Sequence, residues 1–165
     1  MDIQTQRLVL KKYNLSDFED FCKVICNDEV MFHITGKGHT RLEAKEKFDI
    51  LLKTNQENEF YGIYKVVLKE NNKTIGFAKM TPFEKKNMEI GYALLPSYWR
   101  KGFTQEMIKN LTNHGLNYFS EKKLIAIVDE GNSASVNVLE KNGYHIYKEE
   151  SFKGSPCFML EYSIF

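Results

Sequence analysis

The stretch best suited to chemistry runs from Met88 to Glu106, where an alternating strand pattern stops at Pro96 and a helical pattern opens near Gly102. The first turn of a helix leaves backbone N–H groups unpaired and carries partial positive charge, so it can cradle an anion such as a pyrophosphate. Gly102 lets the backbone approach such a ligand closely, and Arg100 and Lys101 add charge beside it. The same residues also fit plain strand-turn-helix packing with a solvated basic turn, and residue chemistry alone leaves both readings open.

Cysteine chemistry is a weaker prospect. The three cysteines, Cys22, Cys26 and Cys157, form no CxxC pair, which argues against a zinc site or a disulfide framework. Cys22 and Cys26 are four residues apart and fit two buried thiols on one helical face.

The elements that must hold the Met88–Glu106 segment can be read along the chain. Residues 5–13 alternate as a strand. Ser16 and Glu19 have capping-box spacing, and Phe18, Phe21, Cys22, Ile25 and Cys26 predict a first helix over 16–27. Residues 33–39 read as a loop. Thr40 and Glu43 form a second capping box, followed by Ala44, Phe48, Leu51 and Leu52 on a second helix. Strands over 59–69 and 74–81 flank the turn Asn71-Asn72-Lys73, and a third runs from Met88 to Leu95. Phe103, Met107, Leu111, Gly115 and Tyr118 trace one face of a long helix. A strand over Leu124–Val128 and a helix over Ser133–Lys141, closed by Asn142-Gly143, come next. Strands over 144–149 and 156–164 finish the chain. This mixture predicts an α/β or α+β domain around one central sheet.

The 165 residues fit a single domain spanning 1–165, and a chain of that size buries roughly 70% of its unfolded surface without needing disulfides or metals. An apolar share of 42% and a charged share of 27% describe a globular protein. The net charge of +1 provides no global field for nucleic acid or an anionic membrane. No signal peptide is visible, and no apolar run reaches the roughly 20 residues that span a bilayer, so a cytoplasmic location is expected.

Two blocks carry a family resemblance. Glu89-Ile90-Gly91-Tyr92 followed by Tyr98-Trp99-Arg100-Lys101-Gly102-Phe103-Thr104-Gln105-Glu106 is one. Asn132-Ser133-Ala134-Ser135 followed by Val138-Leu139-Glu140-Lys141-Asn142-Gly143-Tyr144 is the other. With the opening Thr5-Gln6-Arg7-Leu8-Val9-Leu10, they make the chain resemble the GNAT superfamily of N-acetyltransferases, and within it the RimJ/RimL-like branch.

The resemblance implies a mixed, mostly antiparallel sheet of about seven strands, splayed after the fourth and flanked by about four helices. It implies acetyl-coenzyme A as co-substrate, no metal, and a primary amine as acceptor, attacking directly in a ternary complex. The acceptor is expected to be a protein N-terminal α-amine. A small amine such as a polyamine, amino acid or antibiotic-like compound is the alternative, and a non-catalytic acyl-CoA-binding module is a third. A homodimer is compatible with the resemblance.

By the same resemblance, the backbone of Tyr92, Ala93 and Leu94 pairs with the pantetheine arm, and Trp99, Arg100, Lys101, Gly102, Phe103 and Thr104 form the pyrophosphate loop. Arg100 stands where relatives often carry Gly. Asn132 bonds the cofactor arm or simply caps a helix. Glu89 acts as base, directly or through water, or is a strand-edge Glu paired with a Lys. Leu139 replaces a Tyr that many members use as acid. Ser135 then takes the leaving thiolate by hydrogen bonding, with Tyr144 a weaker candidate. His33 and His39 lie in a loop that often covers the acceptor, where either can serve as a base or simply face solvent. Asp28, Glu29 and Glu84 can attract an amine or be ordinary surface charge.

Overall fold

The structure is a computed structural model that describes residues 1–163. Its strands and helices follow one another as β1 (Ile3–Gln4), β2 (Leu8–Lys12), α1 (Phe18–Ile25), α2 (Asp28–Thr35) and α3 (Arg41–Glu57). Then come β3 (Gly62–Leu68), β4 (Lys73–Phe83), β5 (Asn87–Leu94), α4 (Phe103–Tyr118), β6 (Lys123–Asp129), α5 (Ser133–Lys141), β7 (Tyr144–Phe152) and β8 (Ser155–Tyr162). The strands form one eight-stranded sheet in the order β1-β2-β3-β4-β5-β6-β8-β7. Every neighbouring pair is antiparallel except β5 with β6, which is parallel.

Strand alternation sends residues to two different cores. Ile90, Leu94, Leu124, Ala126, Val128 and Leu160 face α4 and α5, packing on Met107, Ile108, Leu111 and Leu139. Ala93, with Ile63 and Phe77, faces α1 to α3 and meets Phe21, Val30, Met31, Ala44 and Phe48. The 16-residue α4 and the 17-residue α3 thus lie on opposite faces, each held by its apolar stripe.

The mixed sheet agrees with expectation, and several details differ. The strand expected over 5–13 is the shorter β2, and a further strand, β1, precedes it, because residues 5–7 form the turn between them: the Thr5 N–H donates to the Leu8 carbonyl at 3.0 Å. The first cap is set by Asn14 rather than Ser16. The Asn14 side chain accepts from the Ser16 N–H at 2.9 Å, Asp17 accepts from the Asn14 N–H at 2.9 Å, and a single 3-10 turn over Leu15–Asp17 leads into α1.

Residues 33–35, expected in a loop, end a helix of their own. Asn27 caps α2 by accepting from the Val30 N–H at 3.0 Å, Asp28 and Glu29 occupy the first turn, and Gly36 at φ 83° stops it. The described residues therefore hold five α-helices rather than about four, and eight strands rather than about seven. β8 ends at Tyr162, and position 164 of the expected last strand lies outside the described residues.

Candidate active site

The parallel seam between β5 and β6 is short. Asn87, Met88, Glu89 and Ile90 pair with Lys123, Leu124, Ile125 and Ala126, and there the pairing stops. Beyond it Gly91–Leu94 pair only with β4, and Ile127–Asp129 only with β8. The sheet opens between these two stretches, at the position expected for the splay, and Tyr92, Ala93 and Leu94 lie along its β5 wall. Strand edges without a neighbour offer N–H and C=O groups to an extended ligand.

Just above this opening the chain turns through a 3-10 segment, Pro96–Tyr98, and starts α4. Gly102 stands at the N-cap with φ 78°, and no side chain caps the helix. The first amides of α4 therefore remain available to an anion. Arg100 adopts φ 59°, a left-handed conformation that glycine takes at little cost and other residues rarely adopt. Lys101 and Arg100 are exposed, and the Lys101 ammonium lies 5.7 Å from the Tyr98 ring centroid. Thr104 is half-buried in the first turn.

Two members of the expected loop have structural engagements. The Trp99 indole N–H donates to the Leu94 carbonyl at 2.7 Å, tying the turn to the end of β5. The Phe103 side chain is buried, so what it can present to a ligand is its backbone.

A brace that motif reading did not assign comes from Arg7. Its guanidinium lies 2.7 Å from Glu106, donates to the Lys101 carbonyl at 3.0 Å and sits 4.3 Å above the Phe103 ring. Burial alone would push the Glu106 carboxyl up. Hydrogen bonds from Thr5, the Arg7 N–H and the Arg7 guanidinium outweigh it and hold the carboxyl below its usual value. The Thr5-Gln6-Arg7 opening and Glu106 both stand in the sequence motifs, yet their partnership spans 99 residues and leaves no local trace.

On the α4–α5 side of the opening, the Tyr92 and Ser135 hydroxyls are 2.6 Å apart. Burial pushes the Tyr92 phenol up to about 12, against a smaller opposing effect of the Ser135 hydrogen bond, so it stays protonated at neutral pH. Asn132 caps α5, its side-chain oxygen accepting from the Ser135 N–H at 3.2 Å, which leaves its NH2 group for another partner. Tyr92, Asn132 and Ser135 thus come together. Tyr144 does not join them: its hydroxyl is bonded to Thr112 at 2.9 Å inside the core.

The opposite side has a different character. Alternation turns Glu89, Ile125, Ile127 and Asp129 away from α4 and α5. Glu89 forms an ion pair with Lys79 at 2.7 Å. Asp129, at the free end of β6, meets His33 from α2, with Nδ1 2.5 Å from the carboxylate. His39 is instead turned toward Glu43 at 3.8 Å, and burial lowers its pKa. The Asp28 carboxylate accepts from the Gly38 N–H at 2.8 Å, and that of Glu84 faces Asn87 at 3.4 Å, while Glu29 is exposed. A groove of about 820 Å³ runs over this side between the β4–β5 hairpin and the β7–β8 ribbon, with Phe83, Ile127, Tyr147, Phe152 and Met159 among its walls. Ile127 belongs both to this groove and to the β6 wall of the opening.

This arrangement has counterparts in known proteins. Residues 7–145 match the family model described as acetyltransferase (GNAT) domain. The chain is 28% identical over 148 residues to YoaA of Bacillus subtilis (strain 168), named as an uncharacterized N-acetyltransferase, covering 86% of this chain and 81% of that one. A GNAT-family acetyltransferase structure from Bordetella pertussis superposes with a TM-score of 0.83, at 16% identity, over 99% of both chains. RimL, the ribosomal L7/L12 alpha-N-protein acetyltransferase, solved in complex with coenzyme A, superposes with a TM-score of 0.81 at 16% identity, over 98% of this chain and 97% of that one.

Proposed function

Since the chain belongs to the GNAT acetyltransferase family, we propose that it moves an acetyl group from acetyl-coenzyme A to a primary amine, by direct attack in a ternary complex, with a polypeptide N-terminal α-amine as acceptor. The observation that carries this reading is the opening past Ile90 and Ala126, set directly beneath the uncapped start of α4. A diphosphate fits the amides around Gly102, and an extended arm fits the unpaired edges below them. RimL, of the same fold, holds coenzyme A, which supports the same donor here.

Acetyl-coenzyme A supplies an activated thioester. The residues of the chain do the rest. Gly102, Phe103 and Thr104 present backbone amides to the diphosphate, with Arg100 and Lys101 adding charge. Tyr92, Ala93 and Leu94 align the arm through their backbone, and the Asn132 amide donates to it. Ser135, backed by the protonated Tyr92, donates a hydrogen bond to the sulfur as negative charge collects there. Glu89 lies on the face from which the amine approaches. Its carboxylate draws the ammonium in, but it already serves the Lys79 ammonium, so taking the proton calls for a further group.

The groove favours a polypeptide over a polyamine. It is open, and its walls carry Lys85, Lys86, Lys123 and Lys148 against Glu84, Glu150 and Glu161. Lys123 pairs with Glu161 and Lys148 with Glu150, leaving a wall that leans positive, where a polycation would be repelled.

The test is thiol release from acetyl-coenzyme A across peptides with free N-termini, the same peptides blocked, and polyamines. Free peptides should release thiol and blocked peptides should not. Turnover confined to polyamines would replace the acceptor, and tight coenzyme binding with no turnover on any amine would make the protein a binding module.

A further inference from the structure

The proton removed from the acceptor needs a destination, and the face from which the amine approaches holds a second pair of titratable groups besides Glu89 and Lys79. His33 and Asp129 come from elements far apart in sequence, 96 residues, and meet at 2.5 Å where β6 has left β5. Both side chains remain partly open, at 34% and 29% exposure, so the pair is neither a core contact nor a freely solvated one. Alternation along β6 places Asp129 on the same side as Ile127, the residue shared by the groove and the opening. Gly131, two residues on, lies beside the pair: a Cβ there would stand 3.3 Å from the Asp129 carboxylate and 3.7 Å from His33 Cε1. Three residues beyond Asp129, Asn132 donates its N–H to the Asp129 carbonyl at 2.9 Å and opens the helix that carries Ser135.

Resting on the acetyl-transfer reading above, we propose that His33 is the catalytic base for the incoming ammonium and that Asp129 is its positioning residue. The Nδ1–H of neutral His33 donates to Asp129, which fixes the tautomer and leaves the Nε2 lone pair free. Nε2 takes one proton from the ammonium, giving an imidazolium faced by the Asp129 carboxylate and a neutral amine. The amine lone pair forms the C–N bond to the thioester carbon, the C–S bond breaks, and its electron pair leaves on sulfur. The nitrogen sheds two protons in all. One passes to His33 and on to solvent, and the other is lost as the C–S bond breaks, matched by the one the thiolate takes up.

The experiment uses the full chain and four variants, His33→Gln, His33→Ala, Asp129→Asn and Glu89→Gln, read by peptide acetylation, coenzyme A calorimetry and ring-nitrogen NMR. His33→Gln should lower kcat at least 100-fold with coenzyme A affinity unchanged, and imidazole added to His33→Ala should restore part of it. Asp129→Asn should lower kcat about 10-fold or more, and Glu89→Gln less than 10-fold. Without any coenzyme, NMR of the wild type should show the Nδ1-protonated tautomer of His33, and Asp129→Asn should lose it. Turnover unchanged in folded His33→Gln overturns the base while leaving acetyl transfer standing. A wild type that acetylates no amine overturns both. If His33→Gln were unfolded, the tautomer measurement and the imidazole response of His33→Ala decide the matter, and an Nε2-protonated ring in the wild type rejects the proposal.

Discussion

The Arg7 guanidinium reaches Glu106 in the first turn of α4 at 2.7 Å and the Lys101 carbonyl just before it at 3.0 Å, so one side chain from the turn between β1 and β2 spans the start of the helix. This brace holds the turn while leaving the first amides of α4 uncapped by any side chain.

Arg7→Ala should therefore weaken coenzyme A binding about 10-fold by calorimetry while lowering stability by about 1–2 kcal/mol, the modest range for a partly exposed charged hydrogen bond. The pH dependence follows from the depressed Glu106 carboxyl. A carboxyl depressed in the folded state contributes stability that is present above its unfolded value, near 4.5, and is lost as pH falls through its lower folded value. The stability gap between wild type and Glu106→Gln, read by denaturant melts, should be full at pH 6 and close progressively below about pH 4.

Gly102→Glu places a carboxylate at the mouth of the proposed diphosphate cradle and a side chain at φ 78°. Coenzyme A affinity should fall at least 100-fold with the far-UV circular dichroism unchanged, and unchanged affinity would reject the assigned loop. Arg100→Gly acts on the same turn in the opposite sense for the backbone. At φ 59° it should raise stability by about 1 kcal/mol in thermal melts while removing one cationic group from the proposed phosphate site.

Ser135→Ala should lower kcat about 100-fold with little change in the KM for acetyl-coenzyme A, the pattern of a donor whose bond strengthens as charge develops. Tyr92→Phe keeps the strand and the burial but removes the 2.6 Å partner, and should cost an intermediate amount. Equal losses in kcat and in coenzyme affinity for Ser135→Ala would make it a binding residue.

Reversing charge on the groove, Lys85→Glu with Lys86→Glu, should raise the KM for an acidic peptide acceptor several-fold and improve turnover of cationic amines, leaving coenzyme affinity as it was. These side chains line the groove wall, which includes no residue of the α4 loop. An acceptor KM insensitive to the double substitution would remove the groove from the account.

The parts of this site that were legible in the sequence are those built from local patterns. The strand stopping at Pro96, the glycine at 102 and the helix after it are encoded within fifteen residues, and the Asn132 cap is as local. The α2 helix escaped because its eight residues are too few to reveal a period, although Asn27, the acidic pair after it and Gly36 are ordinary start and stop signals. Pairings across the fold were beyond reach: Arg7 with Glu106, Tyr92 with Ser135 and His33 with Asp129 join residues brought together only by sheet order. The phenol of Tyr92 in particular became visible only once alternation had turned it toward α5.

The four residue pairs between β5 and β6 also have a mechanical meaning. They are the hem joining two fabrics, β1 to β5 on one side and β6 with β8 and β7 on the other. Force or heat will pull there first, and a coenzyme laid along the gap lengthens the stitching. Amide exchange at Gly91–Leu94 should then run faster than at Met88–Ile90 in the free protein and slow sharply on coenzyme binding, the result expected if the proposed donor doubles as a fastener for its own enzyme.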